Sequence, residues 1–262
     1  MKLDLIGKHA LVCGGSQGIG LAAAQELAEL GADLTLLARS RESLEQALST
    51  LTRKTSAQRH GFVVADMTKH DALRAQIEGI ASAGPLHIIV NNTGGPASGT
   101  AHAAAPEAYL AAFNQHLIAA QIVLQAALPG MQGAGYGRII NVISTSVKEP
   151  IANLGVSNTI RGAMASWAKT LSRELGPSGI TVNNVLPGYT RTQRLEQILQ
   201  DRVASTGQTV EAVANAMLST VPARRFAEAS EIASVIAFLA SPAAAYVNGV
   251  NIPVDGGRTQ SL

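Results

Sequence analysis

The sequence predicts a single α/β domain built on a doubly wound parallel sheet. Apolar runs of strand length alternate with longer helical patterns from end to end, as in a sheet with helices on both faces. Runs such as Ile88-Ile89-Val90 and Ile139-Ile140 are continuously apolar rather than alternating, which suits strands buried on both faces. A glycine-rich turn also joins the first strand to the first helix.

Seven strands are expected, over Ala10 to Cys13, Asp33 to Ala38, Gly61 to Ala65, Ile88 to Asn91, Arg138 to Ile143, Thr181 to Leu186 and Val250 to Val254. Between them, Gly18 to Gly31, Arg41 to Leu51, Lys69 to Ala83, Pro106 to Met131, Val156 to Leu175 and Ser230 to Leu239 carry apolar residues at helical spacing. Gly, Pro or a capping Ser bounds each of them. Tyr189 to Arg225 breaks the alternation with helical segments and no strand. It reads as an excursion over the carboxyl edge of the sheet, where ligands bind in such folds.

The 262 residues, 47% hydrophobic and 15% charged, form one domain over 1–262 that can bury a large core without disulfides or metal. No metal site is expected. Twenty basic and 18 acidic side chains are scattered along the chain, so neither nucleic acid nor an anionic membrane is an expected partner. The single cysteine, Cys13, cannot form an internal disulfide and reads as a small apolar filler, consistent with a reducing cytoplasm. Asp4, Lys8 and His9 interrupt the N-terminus, so no secretory signal is read there, and no apolar run of membrane-spanning length is expected.

Cys13-Gly14-Gly15-Ser16-Gln17-Gly18-Ile19-Gly20 follows the first strand and opens a helix. Glycine is needed where the backbone turns tightly, approaches a pyrophosphate and packs helix on strand, while the helix N-terminus offers unpaired N–H groups to the anion. Arg39 stands just past the second strand, where an acid would bond a free ribose hydroxyl and a guanidinium can pair with a 2′-phosphate. For a nicotinamide dinucleotide, which the resemblance given next implies, Arg39 makes NADP the expected cofactor, with NAD as the alternative.

The spacing Gly-x-x-x-Gly-x-Gly resembles the short-chain dehydrogenase/reductase family. Further matches follow in order. Asn91-Asn92-Thr93-Gly94 closes the fourth strand where that family has Asn-Asn-Ala-Gly, and Asp66 follows the third strand where the family's acid meets adenine. Pro187-Gly188 with Thr192 is similar to the segment beside the nicotinamide amide, and Asn248-Gly249 with Asp255-Gly256-Gly257 to the C-terminal signature. The resemblance spans the chain and lies nearest the 3-oxoacyl-carrier-protein-reductase-like branch. It implies a seven-stranded Rossmann-type sheet, a nicotinamide cofactor held by Gly14, Ser16, Gln17, Gly18, Ile19, Gly20, Arg39, Asp66, Asn92, Gly94, Arg161, Pro187, Gly188 and Thr192, and a small carbonyl or alcohol substrate. Related proteins pair their long Ala-rich helices across subunits, which implies a homotetramer.

The family's pattern also has Ser, Tyr and Lys for proton delivery, and here this chain departs from it. Ser144 matches the serine, but Ser157 stands thirteen positions on where tyrosine belongs, and Arg161 stands at the lysine. No Tyr-x-x-x-Lys occurs anywhere in the chain. A tyrosine pKa of about 10 can be lowered toward working pH, whereas an alkyl hydroxyl starts far higher. Arg161 can hold ribose hydroxyls with its fixed donors but keeps its own proton. His116 falls at the family's asparagine and titrates near neutrality when unperturbed, which makes it a candidate substitute acid beside a plainer packing role. Three readings remain open: an oxidoreductase with atypical proton delivery, a catalytically silent nucleotide-binding protein acting as a sensor or inactive partner subunit, or a cradle that binds another nucleotide or none.

Overall fold

The computed structural model describes residues 1–261. All seven strands form, as β1 (His9–Cys13), β2 (Asp33–Ala38), β3 (His60–Val64), β4 (Ile88–Asn91), β5 (Gly137–Val142), β6 (Ile180–Pro187) and β7 (Asn251–Val254). They make one parallel sheet in the order β3-β2-β1-β4-β5-β6-β7. Chain direction across the sheet reverses between β1 and β4, and that switch point opens a crevice at the strands' carboxyl ends.

Helices cover both faces. On one side, α1 (Gly18–Glu29) packs on α9 (Ala229–Ala240), with α2 (Arg41–Ser49) beside them, around Leu27, Leu34, Leu36, Ile232 and Ile236. On the other, α3 (His70–Ala83), α5 (Ala119–Ala134) and α6 (Gly155–Leu175) bury Leu73, Ile77, Val123, Met131 and Ala168 against Leu11, Ile89 and Ile139. Cys13 belongs to this second core, where burial pushes its thiol up to about 12, so it acts as an apolar filler.

An asparagine ladder, buried at Asn91, Asn141 and Asn184 and reaching the exposed Asn251, pins the register of four strands. Asn91 donates to Asn141 at 2.9 Å, Asn141 to Asn184 at 2.8 Å and Asn184 to Asn251 at 2.7 Å. The same residues face one another in the backbone pairing of β4 to β7. A one-residue slip would break every link and strand polar amides in the sheet.

Two expectations need correction. The helix expected over Pro106 to Met131 is two helices, α4 (Pro106–Phe113) and α5, joined through a π-helical turn at Asn114–Ile118. The apolar spacing continues through the turn, so hydrophobic periodicity alone could not reveal it. The segment Pro106–Ala134 is also long and apolar enough to cross a membrane, although no run of that length was expected. Its apolar side is already used: Ile122, Val123, Leu124, Ala127 and Met131 are buried in the second core.

The excursion after β6 folds as α7 (Gln193–Thr206) and α8 (Val210–Ser219). Leu195, Val213, Met217 and Phe226 form a small core of their own above the crevice. A bridge between Thr190 and Ala227 and the paired main-chain bonds around it tie the base of the excursion shut.

Candidate active site

One cleft of about 1250 Å³ lies along the carboxyl edge of the sheet. Its floor at one end is the β1–α1 turn. Gly14 has φ of +61°, and a Cβ there would sit 2.5 Å from the Asn92 carbonyl oxygen, so only glycine fits. Gly18 has φ of +54° and lies under Thr192, whose methyl would be 3.2 Å from an added Cβ. Gln17 caps α1 without a side-chain bond, and the first turn of α1 carries no acid. Free N–H groups and a bare glycine surface at a helix N-terminus fit a pyrophosphate.

Gly14, Ser16, Gln17, Gly18 and Ile19 line the cleft, whereas Gly20 does not. Gly20 is buried beneath the turn, where a Cβ would collide with the Gly14 carbonyl and the Asn92 amide. The missing side chain lets α1 approach the turn closely.

Beyond the turn, Arg39 and Asp66 line the same end. Asp66 accepts bonds from the Thr68 amide at 2.9 Å and hydroxyl at 2.8 Å. Those bonds, with a lesser contribution from the Arg39 charge, hold its carboxyl below the usual range. An ionised acceptor and a cation therefore stand together where the resemblance puts adenine and its ribose phosphate.

At the other end, Ser144, Ser157, Arg161, Pro187, Gly188 and Thr192 converge with Asn92, Gly94 and Gly95. Ser144 follows β5 directly, and its hydroxyl oxygen accepts the Ser146 amide at 3.1 Å. That bond orients the side chain and leaves its own proton to donate. Ser157 and Arg161 lie one turn apart on α6, so both reach the cleft from one helix face. Arg161 is buried and donates through Nη1 to the Val142 carbonyl at 3.1 Å. Burial, helped by the nearby Arg194 charge, lowers its pKa to about 10, so it remains a cation at neutral pH.

His116 does not line the cleft. The π turn sets it one layer back, buried, with Nδ1 2.5 Å from the hydroxyl of Thr93, and Thr93 is the residue that faces the cleft. Burial and then the Arg161 charge press its pKa down to about 3. At neutral pH it is an uncharged ring with no proton to spare. The residue expected as a substitute acid is thus a buried ring one layer behind the cleft, in hydrogen-bond contact with Thr93.

Thr93, Gln115 and Arg194 were not singled out from the sequence, yet all three line the cleft. Thr93 stands inside the segment after β4 that was noticed for its asparagines, and that position was the available signal. Arg194 follows Thr192 by two residues inside an amphipathic helix, where a cation reads as solvated surface.

With this geometry in place, the chain can be set against known proteins. Residues 14–259 match the family model described as enoyl-(acyl carrier protein) reductase. The chain is 34% identical to the 3-oxoacyl-[acyl-carrier-protein] reductase FabG of Pseudomonas aeruginosa, over 99% of this chain and 100% of that protein. It is 30% identical to the NADPH-dependent reductase BacG of Bacillus subtilis, over 97% of this chain and 99% of the relative. Among solved structures, L-sorbose reductase from Gluconobacter frateurii, complexed with NADPH and L-sorbose, superposes with a TM-score of 0.92 at 30% identity, covering 100% of both chains. The protein belongs to the short-chain dehydrogenase/reductase family and is a nicotinamide-dependent oxidoreductase of the short-chain type.

Proposed function

We propose that this protein reduces the carbonyl group of a small molecule with NADPH, through a proton path that uses no tyrosine. One observation carries the reading: a single cleft runs without interruption from the glycine turn and Arg39 to Ser144, Ser157 and Arg161. Gly18 and Ile19 at the α1 N-terminus hold the pyrophosphate, and Arg39 pairs with the 2′-phosphate. Pro187, Gly188, Thr192, Asn92 and Gly94 border the nicotinamide end. Bound there, the nicotinamide supplies the hydride.

The chain's own residues manage the charge that develops on the carbonyl oxygen. Ser144 donates its hydroxyl proton in a hydrogen bond to that oxygen, and Ser157 stands beside it as a second hydroxyl. Arg161 supplies a fixed positive charge in a low-dielectric wall, where its field on a developing alkoxide is strong. Its proton stays in place at neutral pH, so the alkoxide takes its proton from water entering past the serines. Such a site stabilises the alkoxide well and protonates it slowly. Turnover is therefore slow.

Two of the relatives named above are, by name, a 3-oxoacyl-[acyl-carrier-protein] reductase and an L-sorbose reductase, and a 3-oxoacyl carbonyl of that kind fits the present cleft. A homotetramer in the cytoplasm completes the reading. Leu110 and Phe113 on α4 are 64% and 37% exposed, and α4 packs beside α6, so an apolar strip is available for a second copy.

Fluorescence titration of the protein with NADPH and NADH, in wild type and Arg39→Ala, tests the cofactor assignment. NADPH binds tighter in wild type, and the variant loses affinity for NADPH while NADH is little affected. Equal losses for both cofactors would remove Arg39 from phosphate recognition.

A further inference from the structure

The inner end of the cleft carries a second guanidinium, Arg194, beside the Arg161 charge that carbonyl reduction uses. A Cβ on Gly95 would lie 3.9 Å from Nη2 of Arg161 and 3.9 Å from Nη2 of Arg194, so two guanidinium groups flank the same glycine. The two heads differ in exposure: that of Arg161 lies in the wall, and that of Arg194 is open to solvent but anchored. Arg161 is buried and tied to the Val142 carbonyl, and Arg194 donates through its Nη2 to the Pro96 carbonyl at 3.0 Å.

Among the described residues, neither arginine pairs with a carboxylate. The acid that lines the cleft is Asp66, at the far end beside Arg39 and Thr68. Two like charges facing one small turn, one of them buried, repel each other and lack a counter-ion. Burial is the larger cause of the lowered Arg161 pKa, and the smaller contribution of the Arg194 charge reflects the same proximity. The diphosphate of a dinucleotide has its own cradle at Gly18 and Ile19, and the 2′-phosphate has Arg39, so the cofactor's anions are already served.

We propose that the substrate carries a carboxylate, bound over Gly95 between Arg161 and Arg194, with its carbonyl presented to Ser144. This deepens the carbonyl-reductase reading and rests on it for the identity of the reacting group. Guanidinium forks suit a planar carboxylate, which can accept from both at once. Glycine at position 95 keeps the turn free of any side chain that would fill the gap between them. The anion then fixes the distance from the bound end of the substrate to the reacting carbonyl, which a neutral ketone cannot do.

Matched acid and ester probes separate this proposal from the reductase reading. Calorimetric titration of the NADP-loaded protein with 3-hydroxybutyrate and with its methyl ester should favour the acid by roughly ten- to a hundredfold, the worth of hydrogen bonds to a charged group. NADPH-dependent turnover should favour acetoacetate over methyl acetoacetate in the same sense. Arg194→Met should erase the preference for the acid without weakening NADPH binding, and Arg194→Lys should restore part of it. Equal binding of acid and ester, binding of neither, or a loss of NADPH affinity in Arg194→Met would overturn the proposal. Reduction of acid and ester alike would leave the reductase standing without the anion site. A calorimetric preference for the acid that depends on Arg194, with no turnover of either probe, would leave the anion site standing and remove the reductase.

Discussion

Ser157 and Arg161 change the division of labour in a site whose surroundings match a reductase. In the family's pattern a tyrosine hydroxyl delivers the proton and a lysine lowers its pKa, whereas here the serine is too weak an acid and the arginine is too strong a cation. What survives is electrostatic: a hydroxyl at Ser144 and a buried charge at Arg161, both facing the cleft. Ser157→Tyr with Arg161→Lys should therefore raise turnover on a neutral ketone by about 10² to 10⁴, the usual worth of a positioned general acid. Either change alone should give little, because the two residues act as a unit. Steady-state rates for the two single variants and the double variant check this, and an unimproved double variant that still binds NADPH would show that proton delivery is not what limits the wild type. These two positions were readable from the sequence alone because the motif spacing fixes where tyrosine and lysine should stand. Arg194 was not, since only the folded excursion over the sheet brings α7 back to the Gly94 to Pro96 turn.

Among the elements, the π turn between α4 and α5 contributes most to the site beyond what periodicity predicts. One extra residue in the turn rotates Asn114–Ile118 so that His116 points inward to Thr93, and the ring is buried there uncharged. Its folded-state pKa of about 3 lies below the ordinary 6.5, so the unfolded chain binds a proton that the native state cannot. The stability that depends on neutral His116 is complete above about pH 6.5 and is lost as pH falls toward 3. His87, lowered to about 4 chiefly by burial and then by Lys8, acts in the same direction. Thermal melts between pH 7 and 4 should show Tm falling on acidification, with a shallower fall in His116→Gln. An equal slope in that variant would mean that His116 titrates freely. Strand and helix positions were legible because long apolar runs and capping residues mark them, and outer ends shifted by no more than three residues. The π turn and the asparagine ladder were not, because neither leaves a period in the sequence. Asn91, Asn141, Asn184 and Asn251 look unrelated until strand order places them side by side.

At the scale of the molecule, the sheet order sets one crevice, and every cleft residue reaches it from the carboxyl end of a strand or the helix after it. The resemblance in the motifs therefore carried the whole architecture, while the substrate end, built from α6, α7 and the turn after β4, depended on long-range packing. The exposed strip on α4 beside α6 belongs to this scale as well, and sedimentation at micromolar concentration should show a tetramer; a monomer alone would contradict the assembly. The central claim is that this cleft transfers hydride to a carbonyl despite having no tyrosine. The most direct measurement is to incubate the protein with NADPH deuterated at its hydride-donating carbon and a panel of oxo acids and ketones, then determine the mass of the alcohol products. The account predicts an alcohol carrying one deuterium on the former carbonyl carbon, formed fastest from an oxo acid. Protein that binds the deuterated NADPH yet transfers no deuterium to any member of the panel would contradict it.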